Sequence, residues 1–224
     1  MRPLPDDVQA VVFDCDGLLV DTEVCWTRAE TAIFAAHGHG FGPEQKALVI
    51  GRTLAAAGDA MADYFGRAGA GGELAAELLD GVRRELAKGA DALPGAVELV
   101  KACAAAVPVA VASNSPRELL DTALASAGLA GFFPVSFAAD EVESAKPAPD
   151  LYLAACAALG ADPARSVAFE DSATGIAAAR AAGLYVVTVP SLSGAELDHD
   201  LLAGSLAEPG LVRWSQGLGA RAGR

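Results

Sequence analysis

The chain has 224 residues, of which 53% are hydrophobic, enough for one large domain or a core carrying an inserted module and too much for a disordered polymer. Its 16 Lys and Arg against 29 Asp and Glu give a formal charge of −13 with no basic tract, which excludes nucleic acid and anionic membrane as natural partners. No run reaches the ~20 apolar residues of a membrane helix, and Cys15, Cys25, Cys103 and Cys156 show no CxxC pairing, so they read as reduced thiols of a cytoplasmic protein.

In chain order, the first apolar run, Val8–Phe13, predicts a buried parallel strand. It runs into Asp14-Cys15-Asp16-Gly17. Strand alternation sends Asp14 and Asp16 to one side of the strand's C-terminal end and Cys15 to the other, as a packed thiol. Gly17 then lets the chain turn away. Two acids this close repel unless a cation or a shared proton relieves them, so either a metal-assisted reaction or an acid–base pair is implied.

Helical patterns follow at Thr22–Ala36, Pro43–Val49, Leu54–Phe65 and Glu73–Ala87, separated by His37-Gly38-His39-Gly40, Gly51-Arg52 and a glycine-rich turn from Gly66 to Gly72. Roughly 90 residues separate the first strand from the next, far more than one crossover helix requires. The expected division is therefore an α/β core of residues 1–21 and 89–224 with a helical cap, 22–88, inserted as a lid. The rest alternates. Helices are expected at Ala96–Ala105, Pro116–Ala127, Ala148–Leu159 and Ala173–Ala182, the last three ending at Gly128, Gly160 and Gly183. Strands are expected at Val107–Ala112, Ser166–Phe169 and Tyr185–Val189, with a weaker one at Pro134–Ala138. This order predicts a doubly wound parallel α/β sheet, and the tail Gly217–Arg224 reads as frayed.

Three further groups fall at the same sheet edge as the Asp pair: Ser113-Asn114 after the second strand, Lys146 in Ser144-Ala145-Lys146-Pro147, and Glu170-Asp171. In open parallel sheets ligands bind outside the carboxyl ends of the strands, where all four groups arrive. Asp14, Asp16, Glu170 and Asp171 would together carry −4 if ionised, and Lys146 returns one charge. An anionic substrate therefore needs a bound cation and one protonated acid, for which Asp16 is the candidate. Carboxylates without a His/Cys cluster suit Mg²⁺ rather than zinc.

In order, Asp-x-Asp-Gly-Leu-Leu-Val-Asp-Thr-Glu, Ser-Asn, Lys-Pro and Glu-Asp-Ser resemble the haloacid dehalogenase-like hydrolase superfamily, in the branch of β-phosphoglucomutase and small sugar-phosphate phosphatases. The resemblance implies a Mg²⁺-dependent phosphotransferase with a Rossmann-like core and a helical cap. It implies Asp14 as the nucleophile that becomes an aspartyl-phosphate, and Asp16 as the acid that protonates the leaving alcohol and then activates water. Ser113, Asn114 and Lys146 would hold phosphoryl oxygens, with backbone N–H groups around Cys15 and Asp16. The metal would take the Asp14 carboxylate, the Asp16 carbonyl and Asp171, with Glu170 close by through water. Dehalogenase and phosphonatase relatives lack the second acid. Mutase members carry a cap histidine where this chain has Trp26, which turns the expectation toward hydrolysis of a small phosphorylated metabolite by a monomer or weak homo-oligomer. A phosphosugar mutase and an inactive metabolite-binding protein are the alternatives.

Other residues have plainer readings. His37 and His39 sit at a Gly-rich helix end, His199 in an acidic stretch, and Gly66–Gly72 lacks the strand and lysine of a phosphate loop. Gly51-Arg52 could present a guanidinium to substrate or be a plain cap loop, and Trp26 could face substrate or the cap core.

Overall fold

The computed structural model describes residues 3–191 and 197–218. The strands among the described residues are β1 (Ala10–Phe13), β2 (Val109–Ala112), β3 (Val135–Phe137), β4 (Ser166–Glu170), β5 (Tyr185–Thr188) and β6 (Leu201–Leu202). They form one parallel sheet in the order β3-β2-β1-β4-β5-β6. The strand order reverses beside β1, so β1 lies between β2 and β4. The crevice of a doubly wound sheet opens there, at the strands' carboxyl ends.

Alternation divides the core. Val11, Phe13, Val111, Val167 and Phe169 join the larger apolar cluster, which includes α5 (Ala96–Ala104), α6 (Arg117–Ser126) and α9 (Pro209–Leu218). Val12, Ala110, Ala112 and Ala168 face the other way, onto α7 (Asp150–Leu159) and α8 (Ala173–Ala181). Three of those four are alanines, so α7 and α8 can approach the sheet closely. On the first face Phe13 stacks on Phe169 at 5.1 Å, anchoring β1 to β4. Burying each such ring contributes ~1.5–3 kcal/mol.

Four helices lie between β1 and α5: α1 (Glu23–Ala36), α2 (Pro43–Val49), α3 (Leu54–Tyr64) and α4 (Gly71–Leu86). Two of the starts, those of α2 and α3, have a local cause. Pro43 opens α2 while Gln45 Oε1 accepts from the Gly42 N–H at 3.0 Å. Thr53 caps α3 by accepting from the Ala56 N–H. Phe34, Met61, Leu74, Leu78 and Val82 form the buried seam of these helices. The segment connects to the rest through paired backbone. Val20 bridges Asp16 and Ala92, the Asp21 N–H donates to Asp91 O, and the Leu93 N–H donates to Leu19 O, both at 2.9 Å.

The structure adds β6 and α9, which the sequence reading did not place. The expected frayed tail falls partly within α9, up to Leu218, and otherwise outside the described residues. No described helix is long and apolar enough to cross a membrane.

Candidate active site

Asp14 follows the last residue of β1, and its N–H donates to Phe169 O at 3.0 Å, which continues the sheet by one bond. The chain then leaves strand geometry. Gly17 adopts φ +76 and Asp16 bridges Val20, so the turn lies beyond the two acids, which line one cleft while Cys15 between them is buried in the core. Gly17 is also a close contact. A Cβ there would lie 2.7 Å from Asp171 Oδ2, so only glycine lets the turn pass beneath the acid that follows β4.

Lys146 holds the floor together. Its buried Nζ is 2.6 Å from Asp14 Oδ1 and 2.6 Å from Glu170 Oε1. It also lies 5.1 Å from the centre of the Tyr152 ring, whose hydroxyl donates to Glu170 Oε1 at 2.5 Å. Glu170 Oε2 accepts from the Asp171 N–H at 3.2 Å and the Ser172 hydroxyl at 3.4 Å. The Glu170 carboxylate fills the place where a Cβ of Gly175 would stand, 1.9 Å from Oε1, in the first turn of α8. Helix N-terminal N–H groups favour negative charge there.

The Asn114 amide clamps the Lys146 backbone from both sides. Its Oδ1 accepts from the Lys146 N–H at 2.9 Å, and its Nδ2 donates to Lys146 O at 3.1 Å. The remaining Nδ2 donor reaches Gly51 O at 3.2 Å, tying the α2–α3 loop to the strand ends. With both Nδ2 protons engaged, this side chain positions Lys146 and the loop rather than presenting a donor for a phosphoryl oxygen.

Asp16 has different company. Thr22 Oγ1 lies 2.7 Å from its Oδ1, while Ser113 and Ser115 Oγ lie 3.0 and 2.8 Å from its Oδ2. Hydroxyls donate and accept with equal ease, so this shell can serve Asp16 whether or not it carries a proton. Thr22 gives up a role elsewhere, because its side chain makes no cap bond to α1. Lys146 thus serves Asp14, while hydroxyls serve Asp16.

Burial raises the Asp14 carboxyl to about 8, against Lys146 and with help from Glu170 and Asp16. Asp171 is pushed well above the carboxylate range, by burial first and then by Asp14 and Glu170. Burial disfavours the Lys146 cation, but Asp14 and Glu170 outweigh it and hold the ammonium protonated. The floor is short of positive charge. Asp14, Glu170 and Asp171 present ligand-capable oxygens within 4.8 Å of one another, and this all-oxygen, buried, anionic donor set fits a hard divalent cation. The Asp16 carboxylate is outside that cluster.

Asp14, Asp16, Lys146 and Asp171 open onto a cleft whose other walls come from the helical segment. Trp26, Gly51 and Arg52 line it, with Arg52 exposed. Trp26 is half-buried and, besides lining the cleft, packs against the main core cluster. Cys15 is fully buried among apolar side chains, and burial pushes its thiol well up. His37 and His39 both stack on Phe65, away from the cleft, and His199 Nδ1 lies 2.9 Å from Leu197 O. The sequence reading missed Thr22, Ser115 and Tyr152. Thr22 stood inside the first motif and Ser115 beside the second, both as hydroxyls, which is a usable signal, whereas Tyr152 faces the site only through the packing of α7.

The sequence profile of the family described as haloacid dehalogenase-like hydrolase matches residues 8–183. The protein CbbY of Rhodobacter capsulatus is 36% identical over 197 residues, covering 83% of this chain and 86% of its own. Hexitol phosphatase B of Escherichia coli (strain K12) is 32% identical over 196 residues, covering 84% and 86%. The crystal structure of CbbY from Rhodobacter sphaeroides in complex with phosphate superposes with a TM-score of 0.76 at 26% identity, covering 90% of this chain and 96% of that one.

Proposed function

This chain belongs to the haloacid dehalogenase-like hydrolase family, and on that premise we propose that it is a Mg²⁺-dependent phosphatase of a small sugar phosphate, working through an aspartyl-phosphate. The free Asp14 oxygen attacks phosphorus as the bond from phosphorus to the ester oxygen breaks, and Asp16 gives its proton to the departing alkoxide. Asp16 then takes a proton from water, whose oxygen attacks the same phosphorus. The acyl-phosphate P–O bond breaks, phosphate leaves, and Asp14 is restored. Lys146 holds Asp14 in place and balances charge on the phosphoryl oxygens. Ser113 and the backbone at Cys15 and Asp16 complete the phosphoryl pocket. Asp14, the Asp16 carbonyl and Asp171 would hold the ion, with Glu170 as their anchor. When bound, the ion neutralises the acids and the phosphoryl group so that the two anions can meet.

We take residues 22–88 as the cap and 1–21 with 89–224 as the core. The cap closes the cleft and limits bulk water, a role supported by the Asn114 bond to Gly51 O. Hydrolysis is favoured over phosphoryl transfer between sugar positions because Trp26, which has no basic nitrogen to shuttle a proton, lines the cleft. Four buried free thiols support a cytoplasmic location. This chain's acidic charge, and its similarity to a protein named hexitol phosphatase B, favour small metabolites over macromolecules as partners.

The observation that carries the reading is the buried Lys146 bridging Asp14 and Glu170 beneath a cleft that also holds Asp16. The test is a panel of phosphorylated metabolites with Mg²⁺ and with chelator. Release of phosphate from at least one ester is expected, lost on chelation and in Asp14→Asn. Turnover retained by Asp14→Asn would refute the nucleophile.

A further inference from the structure

The cleft has a second charged group, on α1 and α2, that the steps above do not use. Lys46 Nζ lies 2.9 Å from Glu30 Oε2 and 3.0 Å from Glu23 Oε2. All three residues line the same cleft as Asp14 and Asp16. Glu23 directly follows Thr22, whose hydroxyl is on Asp16, so this wall begins one residue from the proposed acid. The side chains of Glu30 and Lys46 keep only 3% and 12% of their exposure, while Glu23 keeps 27%.

Stability alone is a weak reason for such a group, since apolar residues of similar size would fill the same space without the cost of taking charges from water. Its hydrogen-bonding capacity is specific. An ammonium has three donors; one goes to Glu30 as a hydrogen bond and Glu23 holds the same ammonium as an ion pair, leaving at least one donor. Glu23, the most exposed of the three, keeps acceptor positions open toward the cleft. One donor beside several acceptors complements neighbouring hydroxyls. It does not complement an anion, because two carboxylates around one ammonium leave a net negative wall. Arg52 stands on the same cleft but is exposed, so solvent and salt screen its charge. Trp26 adds an apolar face of the kind that packs on the C–H side of a polyol.

From this arrangement, and resting on the phosphatase reading, we propose that Glu23 and Lys46, positioned by Glu30, select the leaving group: an uncharged polyhydroxylated alcohol is accepted and one bearing a second anionic group is rejected. The specificity step is therefore located in the first two helices after β1.

The experiment compares kcat/KM for a hexitol monophosphate, the corresponding aldonic acid monophosphate and the hexitol bisphosphate, with p-nitrophenyl phosphate as a reporter of the phosphoryl site. The wild-type protein is expected to favour the hexitol monophosphate over both anionic esters by at least about tenfold. Glu23→Gln should narrow that ratio by about tenfold, and Glu30→Gln should narrow it as well, with the change in KM for the hexitol ester. A ratio of two esters within one preparation does not depend on how much of it is folded, so a partly unstable variant still reports. Equal treatment of the three esters, preference for the bisphosphate, or ratios unmoved in both variants would overturn the proposal while p-nitrophenyl phosphate is still hydrolysed. Failure to hydrolyse any of the four would remove the phosphatase reading and this proposal together.

Discussion

Asp16 is served by hydroxyls and Asp14 by an ammonium, and this difference separates their chemistry. An ammonium at 2.6 Å favours the charged carboxylate needed for attack, against the burial that opposes it. A shell of hydroxyls lets the other acid gain and lose a proton without rearrangement. Asp16→Asn should therefore slow alkyl phosphate esters by about 10²–10⁴ in kcat and p-nitrophenyl phosphate far less, because that leaving group needs little protonation. Steady-state kinetics on both esters check this, and equal losses would remove the acid role.

Among elements, α8 shows how tightly the floor is built. Gly175→Ala would normally stabilise a helix by roughly 0.5–1 kcal/mol. Here the new Cβ would meet Glu170 at 1.9 Å, and Glu170 is fully buried and fixed by Lys146 and Tyr152. Overpacking, at about 1–3 kcal/mol, wins. Denaturant unfolding should show a net loss for Gly175→Ala and a small gain for Gly72→Ala, whose Cβ would meet nothing within 4 Å. The same elements explain what could be read in advance. The five expected strands were visible because each is a short apolar run bounded by turn residues, and Ser113, Lys146 and Glu170 adjoin strands or loops whose order fixes their position. β6 has two residues and no pattern to detect. α9 carried a usable signal, Pro209 at its start and buried Leu211, Ser215 and Leu218 at helical spacing, but no motif drew attention to it. Lys46 and Glu30 were illegible because helix–helix packing decides which way they face.

For the whole molecule, a formal charge of −13 with a buried acidic floor makes the fold sensitive to cations. An ion that binds only the folded state adds ~2.7 kcal/mol at a concentration 100 times its Kd. Mg²⁺ should therefore raise the thermal midpoint of the wild-type protein, and Asp171→Asn should blunt that rise; a midpoint indifferent to Mg²⁺ in the wild type would argue against the ion. The backbone at Val20 and Ala92 has a different consequence. Because the outgoing and incoming segments are stitched side by side, the chain between them leaves and re-enters through one doorway at the carboxyl end of β1. A foreign module of another length or shape could be spliced into that doorway without reordering a strand. A lineage built this way can change diet by transplant instead of by slow resculpting of its engine.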